Sequence, residues 1–199
     1  ASSVFMHVDS GEGGRYPLTG VGDVNTYALF VETFLQATAL RGRAGFIVQS
    51  DIALVDSCKA FFAKVSGGGR VKSLHDFMNL ERLFPHIDTR NPRFCLLTLG
   101  EPTQSETAVF SFGNTNTGHL LDSRRQFKLS PSDFSLLNPN TKTSPTFRSE
   151  RDAELSKKLY RAAPVLIAEG ETDENGQVLR PEVNPWGIRF QAMFHMSAD

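Results

Sequence analysis

The densest chemistry in this chain is basic. Arg124, Arg125, Lys128, Arg148, Arg151, Lys157, Lys158 and Arg161 crowd one stretch. Cations grouped in this way would mostly contact phosphate, which positions a nucleic acid without reading its sequence. Glu150, Asp152 and Glu154 are interleaved with them, so a solvated helix face is the competing reading. The five histidines (His7, His75, His86, His119 and His195) are scattered. None pairs with a cysteine or carboxylate at zinc-ligand spacing. Cys58 and Cys95 sit among apolar or helical residues and read as buried thiols of a reducing cytoplasm, not as a disulfide framework. Gly20 and Gly22 lie in a loop, RYPLTGVGD, that lacks the Gly-Lys-Ser/Thr ending of a phosphate-binding P-loop and reads as a connector. Gln49-Ser50-Asp51 breaks an apolar run. Polar groups there suit either a ligand at the end of a parallel strand or a helix cap.

A helix from Asp23 or Asn25 carries Tyr27, Phe30, Val31, Phe34, Leu35 and Thr38 as an apolar stripe and ends at Arg41-Gly42. Ala44–Val48 is a continuous apolar run, as expected of a strand covered on both faces in a parallel sheet. Ile52–Val65 reads as a second helix. Val71–Phe77 and Arg93–Leu99 read as strands forming an antiparallel pair at a sheet edge, and Ala108–Phe112 as one more strand. From Phe127 the repeated Ser-Pro and Asn-Pro pairs predict an extended path. Ser149–Arg161 is a capped helix with acids early and bases late. Asn184–Met196 is apolar and aromatic and should pack against something. Ser2–Val8 could end a helix. Asn184-Pro185-Trp186 reads as a structural turn.

The whole-chain balance is neutral. With 199 residues and a formal charge of -1, the whole-chain charge gives no support for non-specific nucleic-acid binding, and any DNA contact needs a local patch. Forty per cent hydrophobic content with 16 phenylalanines predicts a packed core and excludes a disordered chain. No apolar run is long enough to span a bilayer. A start at Ala1 and not at Met suits either a fragment or a processed chain.

Several stretches carry a resemblance. NTYALF with its helix, the GRAGFIV run, Leu83-Phe84-Pro85 with the FCLLTLG strand, the LLNPNTKTSPTFRSERDAEL segment and the NPWGIRF stretch resemble the later motifs of gamma-type N6-adenine DNA methyltransferases. The likeness is greatest to those of large single-chain type IIG/IIL-like restriction–modification enzymes. It covers most of residues 15–100 and 127–196. It rests on the order and spacing of the motifs together.

The resemblance implies an α/β fold: the second half of a Rossmann-like S-adenosylmethionine-dependent methyltransferase sheet over residues 1–118, then a connector and the start of a target-recognition region over 119–199. It implies that Phe84 stacks on an extruded adenine and that Phe30, Tyr27 and Asn25 lie at the cofactor. Extrusion costs a few kcal/mol, and stacking offsets roughly 1–3 kcal/mol per base. The eight basic residues would hold double-stranded DNA. Two motifs of the family are missing: the Gly-rich cofactor turn and the Asn/Asp-Pro-Pro-aromatic loop. Gln49 also stands where relatives usually have proline. The chain alone is therefore expected to be catalytically silent. S-adenosylmethionine would be bound by the parent enzyme and not by this chain alone, with the rest of that polypeptide as a partner and the cytoplasm as the location. A fifth strand without its neighbour would leave an open edge, to be covered by dimerisation or by the chain's own tail. The alternative is a stand-alone DNA-binding or interaction module without catalysis.

Overall fold

A computed structural model describes residues 14–20, 24–87, 93–172 and 176–190. The expected Ser2–Val8 helix end and the last residues of the 184–196 stretch lie outside these. Helix α1 spans Thr26–Ala37 and β1 spans Ala44–Gln49. A short α2, Asp51–Leu54, and a 3-10 turn precede α3, Lys59–Gly67. Strands β2 (Val71–Met78), β3 (Arg93–Leu99), β4 (Ala108–Asn114) and β5 (Phe127–Leu129) follow. Then come α4 (Pro131–Leu137), α5 (Glu150–Ala162) and a small hairpin of β6 (Glu171–Thr172) and β7 (Val178–Arg180).

The molecule is α/β with a mixed five-stranded sheet in the order β1-β3-β2-β4-β5. Strand β3 is antiparallel to both β1 and β2, and β4 is parallel to β2. Thus β1, β2 and β4 all point the same way. Their C-terminal ends, at Gln49, Met78 and Asn114, share one edge of the sheet.

Register sorts the side chains into two faces. Phe46, Leu97, Leu74 and Phe110 form one row across β1, β3, β2 and β4. This row faces the helices and packs with Val31, Phe61, Phe62, Val65 and Phe134 in the core. Full burial of such side chains is worth about 1.5–3 kcal/mol each. Ile47, Leu96 and His75 form the neighbouring row on the other face and remain exposed or half-buried. The core crosses position 118, because Phe127, Leu129, Phe134, Leu137 and Ala153 belong to it.

Several sequence expectations are corrected. Strand β1 is an edge strand whose only described neighbour is antiparallel, and Ile47 is 63% exposed. A continuous apolar run does not reveal which of its faces is covered. The β2–β3 pair is antiparallel but internal, since β1 flanks one side and β4 the other. The α1 stripe is rotated: Ala28, Val31, Glu32 and Leu35 are buried while Phe30 and Phe34 are exposed. Glu32 goes inward because Leu18 N, Thr19 N and the Thr19 hydroxyl all donate to its carboxylate, which satisfies the buried charge. Finally, the stretch from Phe127 is not simply extended. Ser130 and Asp133 form a capping box, with Pro131 at the first turn of α4.

The second helix is also broken, at Val55, whose backbone is extended. By contrast, α5 begins as expected, with Ser149 accepting from Asp152 N. Asn184 likewise makes a turn, its side chain bonding both backbone groups of Ile188. Trp186 is exposed, its indole N–H donating to the Pro164 carbonyl.

Candidate functional site

The shared C-terminal edge of β1, β2 and β4 is where open α/β sheets bind ligands. Two adjoining cavities open there. The first, about 340 Å³, is lined by Tyr27, Ile47, Val48, Gln49, Asn79, Phe84, Ile87, Arg93 and Phe94. It is mostly apolar, with polar side chains at Tyr27, Gln49, Asn79 and Arg93. The second, about 290 Å³, is lined by Thr19, Asn25, Tyr27, Ala28, Gln49, Asp51, Val55, Ser57 and Cys58. Tyr27 and Gln49 belong to both walls.

Phe84 is fixed from behind. Buried Asn79, just past the end of β2, donates to the Phe84 carbonyl and accepts from its N–H, both at 2.9 Å. Arg82, between them, adopts a left-handed backbone with φ 54°. The Phe84 ring meets Phe94 edge-on at 4.9 Å, and Phe94 stacks on buried Phe77 at 5.2 Å. Phe84 is itself half-buried, so part of its ring is left to the cavity.

The floor is tied together by Asp76, a fully buried acid in β2. It accepts from Ser50 Oγ at 2.6 Å, from Arg93 Nε and Nη2, and from Gly113 N. One carboxylate therefore joins the ends of β1 and β4 and the start of β3. Asp76 lifts the Arg93 guanidinium above its ordinary pKa by hydrogen bonding, so Arg93 stays charged on the cavity wall. Nothing in the sequence reading singled out Asp76, Asn79 or Arg93. The available signal was an acid flanked by His75 and Phe77 inside an apolar strand.

In the second cavity Asn25 caps α1, its side chain accepting from Tyr27 N. Burial pushes up the pKa of the Tyr27 phenol, and that of the Cys58 thiol, to which it is hydrogen-bonded. Burial likewise raises the Cys95 thiol to about 12. The raised values disfavour the phenolate of Tyr27 and the thiolate of Cys58 in this wall.

The fold thus brings Phe84, Tyr27 and Asn25 to neighbouring walls but leaves Phe30 apart. Phe30 is 60% exposed and stacks on Phe34, which in turn stacks on Phe46. It lines neither cavity. The basic group divides further. Lys157 is buried at 7% exposure, paired with Glu154 and 3.8 Å from Asp133. Arg161 also reaches Asp133, and Arg124 is held by both oxygens of Asp122. Lys157 is thereby withdrawn from any phosphate, because its charge is compensated inside the fold. Lys128, Arg151 and Lys158 are exposed. Arg125 and Arg148 line a third cavity, between the ends of β2 and β4.

Among the described residues no group of three or more His, Cys, Asp or Glu could hold a metal ion. No described helix is long and apolar enough to cross a membrane. No protein-family model matches the chain, and no curated protein matches it.

Proposed function

We propose that this chain is part of an S-adenosylmethionine-dependent adenine-N6 DNA methyltransferase of a restriction–modification system. The observation that carries the reading is the pairing of two cavities at one strand-end edge. One is apolar and floored by a braced aromatic ring. The other is polar and reached by Tyr27 and Asn25. An extruded base needs a stacking surface and a few edge contacts, and Phe84, Asn79 and Arg93 are of the types required. The polar cavity fits part of the cofactor: Asn25, Asp51, Ser57 and Thr19 offer donors and acceptors for hydroxyl and amino groups beside the Tyr27 ring. When bound, the cofactor supplies an activated methyl group. The chain's own residues bind and orient. Asn79 positions Phe84, Phe84 holds the base plane, and half-buried Val48 lends an apolar wall. The sequence contains neither the Gly-rich cofactor turn nor the Asn-Pro-Pro-aromatic loop, so transfer requires the rest of the polypeptide.

The test is transfer of a labelled methyl group to duplex DNA by the polypeptide encoded in the intact reading frame, with N6-methyladenine as the readout. Phe84→Ala should lower the rate by about 5- to 150-fold, the equivalent of about 1–3 kcal/mol of lost base stacking, while Phe84→Trp retains most of it. An intact polypeptide that neither binds S-adenosylmethionine nor methylates adenine would sink the reading. The missing Asn-Pro-Pro-aromatic loop favours a second reading, a DNA-binding module without catalysis. That reading expects salt-dependent duplex binding indifferent to S-adenosylmethionine.

A further inference from the structure

Met78 and Asn79 are successive residues that face different cavities. Asn79 belongs to the aromatic one. Met78, with Phe112, Gly113, Arg125 and Arg148, lines a separate space of about 320 Å³ between the ends of β2 and β4. Two guanidinium groups enter this wall and no carboxylate does. Asp122, whose carboxyl feels the charge of Arg125, is engaged through both oxygens by Arg124. Arg125 donates through Nη2 to the Gly113 carbonyl at 3.1 Å. Its Nε is shut off from solvent with no hydrogen-bond acceptor among the described residues. Arg148 is exposed and has no acid partner among the described residues. The cavity is therefore a cleft whose described wall carries two guanidinium groups and no carboxylate, beside the pocket that holds Phe84.

We infer that Arg125 and Arg148 together clamp a single phosphate of a DNA backbone. This rests on the proposed action on DNA. Guanidinium forks suit phosphate oxygens in geometry and charge, and the cleft separates these two residues from the six other bases of the stretch. A base in the aromatic pocket and a phosphate in the cleft would lie side by side, so the clamp would set the position of the strand relative to Phe84.

The test is binding of a short DNA duplex by the intact polypeptide, followed against salt concentration. Wild type is compared with Arg148→Gln and with Arg125→Gln/Arg148→Gln, each checked for native circular dichroism. Each neutralised phosphate contributes about 0.9 to the slope of log K against log salt. One shared phosphate means that the double variant loses about 0.9 from that slope. A slope unchanged in folded variants overturns the clamp, as does a wild type that does not bind duplex. A loss of about 1.8 assigns the arginines to two separate phosphates and also overturns it. Should Arg125 be needed for folding, Arg148→Gln decides alone: exposed Arg148 can be removed without disturbing the core, and duplex affinity must fall. Inorganic phosphate provides the remaining arm. If it binds wild type but not the double variant while the duplex slope stays the same, the cleft serves a free anion and the backbone assignment fails. Adenine methylation with an unchanged slope removes the clamp and leaves the methyltransferase reading. The expected slope loss without methylation does the reverse.

Discussion

Asp76 shows how much one side chain can organise. It sits wholly inside the protein, yet four donors from three segments converge on it. Asp76→Ala would leave the Ser50 hydroxyl and the Gly113 N–H without an acceptor. Unmet buried donors cost about 1–3 kcal/mol each, so the variant should lose on the order of 3 kcal/mol in urea denaturation. Arg93 adds less to this loss, since it is partly exposed and can regain water. His75, one residue earlier, gives a pH signature. Its ring nitrogen Nδ1 lies 2.9 Å from Ser111 Oγ, and burial holds its pKa below the ordinary 6.5. Between the lowered value and 6.5 the unfolded chain binds a proton that the folded chain does not. The stability His75 contributes is therefore present above pH 6.5 and lost as pH falls through its folded pKa. Urea midpoints measured across that range should drop toward acid, and His75→Gln should flatten the drop.

At the scale of elements, two glycines with positive φ make different demands. Gly69 ends α3 at φ +64°, and a Cβ there would come within 2.1 Å of the Thr103 carbonyl oxygen. Gly113, at φ +68°, would meet only the Met78 methyl at 3.8 Å. Gly113→Ala should therefore cost only the conformational penalty, about 1–2 kcal/mol. Gly69→Ala must also push the 101–106 loop away from α3, and its melting temperature should fall further. Equal losses would mean that the loop yields freely. Elements set by local rules were legible in the sequence. The cap at Ser149 gave α5, and β2 and β3 were read as an antiparallel pair. Helix α4 was obscured because Ser130-Pro131 reads as a turn until Asp133 is counted as its capping partner. The position of β1 could not be read at all, because strand order depends on pairing between distant segments. Of the residues lining the two cavities, Phe84, Tyr27 and Asn25 were singled out through the resemblance. Asp76 and Asn79 were not, since their role lies in contacts with Gly113 and Phe84 that no spacing rule encodes.

For the molecule as a whole, the open side of β1 matters most. No described segment pairs with it, and the described tail instead forms its own β6–β7 hairpin. Phe30, Phe34 and Ile47 remain exposed on α1 and β1. An unpaired apolar edge is a template for another strand. The isolated 199-residue chain should therefore associate as concentration rises, and Ile47→Lys should shift it toward monomer in sedimentation velocity. A wild-type chain that stays monomeric at high concentration would show that the edge is protected.

The brace behind Phe84 has a kinetic consequence. The Asn79 amide grips both backbone groups of Phe84, so the chain itself sets the position of the ring. A ligand entering there need not wait for a loop to close, nor meet the entropy cost of ordering one. Its association rate should follow the encounter rate, and differences in affinity among ligands should emerge as differences in residence time. Loosening the grip, as in Asn79→Ala, would make arrival the slow event.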